Sequence, residues 1–218
     1  MNFAKLVCLI VLGFSCSAMA QLHWEKRELE FRPSPSESEV VANYRFTNTG
    51  KRTVTIKAVK TSCGCTTATL VKKSYAPGEK GLITATFKIG TRSGQQEKTV
   101  YVATDDPHEP ELLLTLRATI PKVLEMSHIF LNWQPGEVLN PKTVDVKVTD
   151  NFPVQTLAIT SSNPNIGTEV KRGSDGKSFK IIVTPKKSDA AMSGGLEIVP
   201  DFPKDNPKVF RIYVRVDR

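Results

Sequence analysis

From Leu112 to Ile120 every second residue is apolar: Leu112, Leu114, Leu116, Ala118 and Ile120. A period of two puts all five on one face of an extended strand and scatters them around a helix. The same period returns in Ala42-Tyr44-Phe46, Val54-Ile56-Ala58 and Ile83-Ala85-Phe87-Ile89. The second half repeats it in Val144-Val146-Val148, Leu157-Ile159, Phe179-Ile181-Val183, Leu196-Ile198 and Phe210-Ile212-Val214-Val216. Half-buried antiparallel strands have this pattern, so the chain is read as all-β. With 39% hydrophobic residues it has enough apolar surface to fold, which excludes a disordered tail.

The turns between these runs have their own chemistry. Gly50 in Asn48-Thr49-Gly50-Lys51 is expected where φ is positive, Pro77-Gly78 suits the centre of a type II turn, and Asp105-Asp106-Pro107 breaks the ladder. Adding Leu22 to Phe31, Thr66 to Val71 and Lys98 to Thr104 gives about seven strands in residues 21–121, the number of an immunoglobulin-like sandwich. Residues 122–218 read as a second such sandwich. Val59-Lys60-Thr61-Ser62 aligns with Ile159-Thr160-Ser161-Ser162, and Asp105-Asp106-Pro107 with Asp201-Phe202-Pro203, which points to a duplication. The boundary falls near Pro121, with no Ser/Gly-rich spacer to let the halves swing freely.

Residues 1–20 read as a cleaved signal peptide: Lys5, an apolar run from Leu6 to Phe14, and Ala18-Met19-Ala20 as the cleavage signature. The mature chain is expected to begin at Gln21, without a lipid on Cys16, and to be periplasmic or secreted. No other stretch approaches the roughly 20 apolar residues of a membrane helix, so the mature chain is not expected to span one. The formal charge of +8 is spread over pairs such as Lys72-Lys73 and Lys186-Lys187 with no aromatic ladder among them. This argues against a nucleic-acid groove.

Processing leaves two cysteines, in Cys63-Gly64-Cys65. One intervening residue is too tight for the usual zinc pair, and no second pair exists to complete a tetrahedron. In an extended strand their Cα atoms would lie about 6.5 to 7 Å apart, at the limit for a disulfide, so bridging requires a bend that Gly64 could supply. Such a bridge closes a loop of about three residues and removes chain entropy worth on the order of 1.6 kcal/mol. It is a poor staple, and a strained one would be easily reduced. Four readings stay open: a local disulfide, two reduced and packed thiols, a redox pair, and a soft-metal site. The redox reading lacks a following His, Lys or helix N-terminus to depress a thiol pKa. The copper reading would recruit Met126 and His128, two residues apart and so on one face of a strand.

Other chemistry is sparse. His23, His108 and His128 form no zinc-protease pair, and no nucleophile elbow or phosphate-binding glycine loop occurs. Glu28 with Glu30, or Asp105 with Asp106, are read as solvated strand edges and a turn, not as acid and base. Trp24 and Trp133 are expected to pack near the opening strand of each half.

Residues 43–120 resemble a bacterial family catalogued as domain of unknown function number 1573. The resemblance rests on Phe46-Thr47-Asn48-Thr49-Gly50, Ser62-Cys63-Gly64-Cys65-Thr66, Pro77-Gly78-Glu79, Arg92-Ser93-Gly94 and the closing run Leu112 to Ile120. It implies an immunoglobulin-like sandwich related to major sperm protein and Hydin-type domains and to periplasmic pilus chaperones, and it implies export. It brings no activity and no cofactor. The expected function is that of an exported, non-enzymatic binding or assembly module. Its partner is another envelope or extracellular protein or a glycan, docked on sheet edges or loops. The alternative is a thiol-redox or copper-handling protein working through Cys63 and Cys65.

Overall fold

The computed structural model describes residues 20–186 and 190–217. The expected signal segment, Ala20 excepted, lies outside them, and with it Cys16. Every regular element among the described residues is a strand, and no helix long and apolar enough to cross a membrane occurs there.

Nine strands build the first sandwich: β1 (Leu22–Trp24), β2 (Glu28–Phe31), β3 (Glu39–Asn48), β4 (Val54–Thr61), β5 (Thr66–Leu70), β6 (Ser74–Tyr75), β7 (Lys80–Lys88), β8 (Gly94–Thr104) and β9 (Glu111–Ile120). Eight build the second: β10 (Leu124–Met126), β11 (Phe130–Trp133), β12 (Lys142–Val148), β13 (Leu157–Ser161), β14 (Ile166–Arg172), β15 (Ser178–Pro185), β16 (Met192–Pro200) and β17 (Phe210–Val216). The sheets of the first run β1-β3-β7-β5 and β2-β9-β8-β4-β6, and those of the second β10-β12-β15-β14 and β11-β17-β16-β13. Element for element the second order reproduces the first, with β6 as the one addition. Even the parallel pairs correspond, β2 with β9 and β11 with β17.

Alternation decides which side chains meet between the sheets. β9 has Leu112, Leu114, Leu116, Ala118 and Ile120 on its buried face, as its period requires. The buried apolar residues separate into two clusters, one from Leu22 to Ile120 and one from Val123 to Val216. Trp24 lies in the first and Trp133 in the second, where its indole N–H donates to Asn140 O at 3.0 Å. Asn206 reaches from the second half to the carbonyls of Ser36 and Glu37 at 3.2 and 3.3 Å.

The run Leu22 to Phe31 is not one strand. The charged segment Glu25-Lys26-Arg27 interrupts it, Arg27 pairing with Glu109 at 2.6 Å, and the two pieces join opposite sheets. The first half thus has nine strands where about seven were expected, partly because β6 is only two residues long.

Candidate functional site

Cys63 and Cys65 sit in the turn that takes the chain from β4, in one sheet, to β5, in the other. The sulfurs are bonded and the Cα atoms are 5.3 Å apart, inside the ordinary disulfide range. Both residues are half-buried; Cys65 packs against the core, and both sulfurs lie near the Thr66 hydroxyl, at 3.5 and 3.9 Å. The bend comes from the turn itself. Thr66 N–H donates to Cys63 O at 3.3 Å, and the Thr61 hydroxyl lies 3.1 Å from Cys63 O and 2.9 Å from Thr66 O. Gly64 does not have a left-handed φ, and a Cβ there would meet nothing within 4 Å, so the bend does not depend on glycine.

The second sandwich builds the same turn without sulfur. Ile166 N–H donates to Asn163 O at 3.0 Å and the Ser161 hydroxyl to Asn163 O at 2.8 Å, in the places of Thr66 and Thr61. Ser62 exchanges bonds with Thr99, N–H to carbonyl at 3.0 Å and N–H to hydroxyl at 3.1 Å; Ser162 and Gly195 do the same at 3.0 and 2.8 Å. Where Cys63 is bonded to Cys65, the Asn163 Oδ1 accepts from Asn165 N–H at 2.9 Å. An Asx turn stands in for the disulfide.

The other turn residues divide. Gly78 has φ +80, and Glu79 N–H donates to Ala76 O at 3.0 Å, which makes Pro77-Gly78 the type II turn expected. Gly50 does not have positive φ. Its requirement is space: a Cβ there would lie 2.4 Å from Gln21 Cγ.

Asp106 corrects the reading of a solvated turn. It is 1% exposed; its carboxylate accepts from the Gln21 N–H at 2.7 Å, the Gln21 amide at 3.2 Å and the His108 N–H at 3.0 Å. Burial pushes its carboxyl up, but these hydrogen bonds and the neighbouring His108 outweigh it, so the pKa lies below the ordinary carboxylate value. Asp105 holds the turn from outside, accepting from Thr55 N–H at 2.8 Å, as Asp201 does from Gln155 at 2.9 Å. Asn48, fully buried, donates to Arg52 O and Tyr75 O, both at 2.8 Å, and so ties the turn before β4 to the end of β6.

Glu28 is half-paired on the surface, with Arg117, which also bonds Glu97 at 2.9 Å. The strand invoked for Met126 and His128 ends at Met126, which packs on the second core; His128 lies beyond it, its ring bonded to the Ser127 hydroxyl at 2.9 Å. Among the described residues no three of His, Cys, Asp or Glu are grouped so as to hold a metal ion.

One surface escaped the sequence reading. Tyr101 on β8 and Leu113 on β9 are directly opposite, 50% and 53% exposed, over a shallow depression that also takes in Ala58, Lys60, Ala103 and Glu111. In the second sandwich the same cross-strand pair is Glu197 and Arg211, joined by an ion pair at 2.8 Å. The signal was present in Val100-Tyr101-Val102 and Leu112-Leu113-Leu114, where an apolar residue stands on the face that alternation assigns to water.

Among solved structures the chain is similar to a protein of unknown function from Porphyromonas gingivalis W83, at 14% identity and TM-score 0.37 over 91% of this chain and 100% of that one. It is similar to the Pseudomonas aeruginosa CupB2 chaperone at 10% identity and TM-score 0.36, over 87% and 99%. The PapD-like domain 7 of human CEP192 is similar at 13% identity and TM-score 0.36, over 56% of this chain and 97% of that one. No curated protein matches the sequence. Residues 22–120 match one family throughout, over the segment that holds the Cys63–Cys65 turn, the Pro77-Gly78 turn and the closing strand β9. The family whose model these residues match is described as protein of unknown function (DUF1573).

Proposed function

We propose that the chain is exported and serves as a non-enzymatic binding or assembly module, with another envelope or extracellular protein as its partner on the β8–β9 face. The observation that carries this reading is the Tyr101–Leu113 pair. Scattered apolar residues on a surface need no explanation, but here the two are paired in register on two inner strands of a five-stranded sheet, beside Ala58 and Ala103. The duplicated sandwich has an ion pair at the same place, so the fold itself does not ask for apolar side chains there. Aromatic and aliphatic side chains in a patch with charges at its margin, here Lys60 and Glu111, match the make-up of protein interfaces.

The test transplants the second sandwich's pair into the first, as Tyr101→Glu with Leu113→Arg. Thermal unfolding is expected to stay within a few degrees of wild type. Capture of the partner from the native envelope, with the exported protein as bait, is expected to fail with the variant. Retained capture removes the β8–β9 face from the reading, and capture of glycan alone replaces the partner class. Fractionation of cells making the native chain tests export directly.

A further inference from the structure

Asp106 is a buried carboxylate whose close donors are all uncharged. They are the Gln21 N–H, the Gln21 side-chain amide and the His108 N–H; the nearest cation, Arg52, is 3.9 Å away and more than half exposed. No charged donor among the described residues is within hydrogen-bond distance of this buried carboxylate. Gln21 is itself nearly buried, and its position is fixed from three sides. Its carbonyl accepts from the Thr49 N–H at 2.8 Å and the Thr49 hydroxyl at 3.2 Å, and its side chain occupies the space over Gly50. Its own Oε1 is buried with no hydrogen-bond partner among the described residues. Gln21 is also the residue whose nitrogen a cut after Ala18-Met19-Ala20 sets free.

We propose that cleavage after Ala20 turns the Gln21 nitrogen into an α-ammonium that ion-pairs with Asp106, so that export processing itself completes the first sandwich. The inference rests on the export reading. Before the cut this nitrogen is a neutral peptide N–H with one hydrogen to give. Afterwards it has a full charge and three, beside a carboxylate at 2.7 Å. The bond is charge-assisted by its carboxylate acceptor already, and the cut adds the attraction of a positive charge on the donor at the same distance. β1 starts at the next residue, so the ion pair fixes the beginning of the sheet β1-β3-β7-β5.

A chemical consequence follows for Gln21. A free N-terminal glutamine cyclises when its neutral α-amine attacks the side-chain Cδ, forming the ring C–N bond and expelling Nε2 as ammonia. Here the amine is kept protonated by Asp106, and Nε2 donates to the same carboxylate. The mature protein is expected to keep an open glutamine.

The experiment compares urea unfolding of the chain beginning at Gln21 with that of a chain bearing Ser17–Ala20 ahead of it, each with and without Asp106→Asn. The Gln21 start is expected to lower the unfolding constant of the first sandwich by roughly tenfold, an advantage that disappears in Asp106→Asn. Acetylating the α-amine of the Gln21 start, with Asp106 intact, should reduce it to the level of the extended chain. On prolonged incubation the native form should keep its full mass while Asp106→Asn loses ammonia. Equal stability of the two starts overturns the ion pair, as does an advantage that survives acetylation or a native protein found already cyclised. The intact mass of the exported protein reads the processing separately: any mature start other than Gln21 overturns the processing step whatever the unfolding comparison gives.

Discussion

Replacing both Cys63 and Cys65 by Ser removes a bridge whose contribution the structure bounds. The closed loop spans about three residues, so the chain-entropy account gives on the order of 1.6 kcal/mol. The turn's other bonds remain: Thr66 N–H to Cys63 O, the contacts of the Thr61 hydroxyl, and Ser62 with Thr99. The copy in the second sandwich shows that this frame closes with an Asn side chain in place of sulfur. The Ser pair is therefore expected to lower the stability of the first sandwich by no more than about 2 kcal/mol. A Cys63→Asn/Cys65→Asn pair should recover about 1 kcal/mol of that, the worth of the rebuilt Asx bond. Urea unfolding followed by Trp24, with Trp133→Phe in every protein compared so that the second sandwich is silent, measures both. A loss far above 2 kcal/mol for the Ser pair, or an Asn pair no better than the Ser pair, refutes the equivalence of the two turns. If the Ser pair folds and still binds its partner, the bridge is a local tie; if it folds, binds and yet fails in the cell, the thiol-redox reading takes precedence.

Leu114→Ala, at a fully buried position of the first cluster, is expected to destabilise that sandwich by about 2 to 5 kcal/mol while hydrogen exchange in β12 and β15 stays protected; loss of protection in both halves together would refute separate cores. Asp106 has a lowered pKa, so its contribution is present above its unfolded value near 3.9 and is lost as pH falls through the folded value. Melting temperature should therefore fall more steeply below about pH 4 in wild type than in Asp106→Asn, and parallel curves would refute the assignment. Gly50→Ala places a Cβ against Gln21, its Cβ included, and is expected to destabilise the first sandwich by about 1 to 3 kcal/mol, read by the same urea assay; a Gln21→Gly background, which removes every side-chain atom it would meet there, should relieve most of it.

The alternating runs were legible because period two is written into neighbouring residues. What the sequence hid were relations between distant ones. The break at Glu25-Lys26-Arg27 reads as part of a polar strand until Arg27 is seen to meet Glu109 and β2 to pair in parallel with β9. β14 lies at a sheet edge with only Ile166 buried, so no alternation marks it. Asp106 looks like any turn aspartate because its partner Gln21 is 85 residues away. The Cys63-Gly64-Cys65 turn was legible as a bend, but its cause was placed on Gly64 and belongs to the backbone bonds around it.

The duplication turns the second sandwich into a control for the first. Positions where the copies agree, such as Ser62 with Ser162 and Asp105 with Asp201, hold the same backbone groups in both and belong to architecture. Positions where they disagree have been released from that duty. The edge strands differ in this way: β5 reads Thr-Thr-Ala-Thr-Leu without a charge, whereas β14 carries Glu169, Lys171 and Arg172, the kind of residues that keep an edge from pairing with another chain. The faces differ as well, Tyr101 with Leu113 against Glu197 with Arg211 in one place. In another, Glu28 beside Thr115 stands against Phe130 stacked on Tyr213 at 5.1 Å. The disulfide, the uncharged edge and the Tyr101–Leu113 pair all fall on the first sandwich, the part that matches the family. The binding reading therefore locates recognition in residues 22–120. In the second sandwich, with its charged edge, the exposed apolar pair in register is Phe130 with Tyr213, and it lies on a different strand pair from Tyr101 with Leu113.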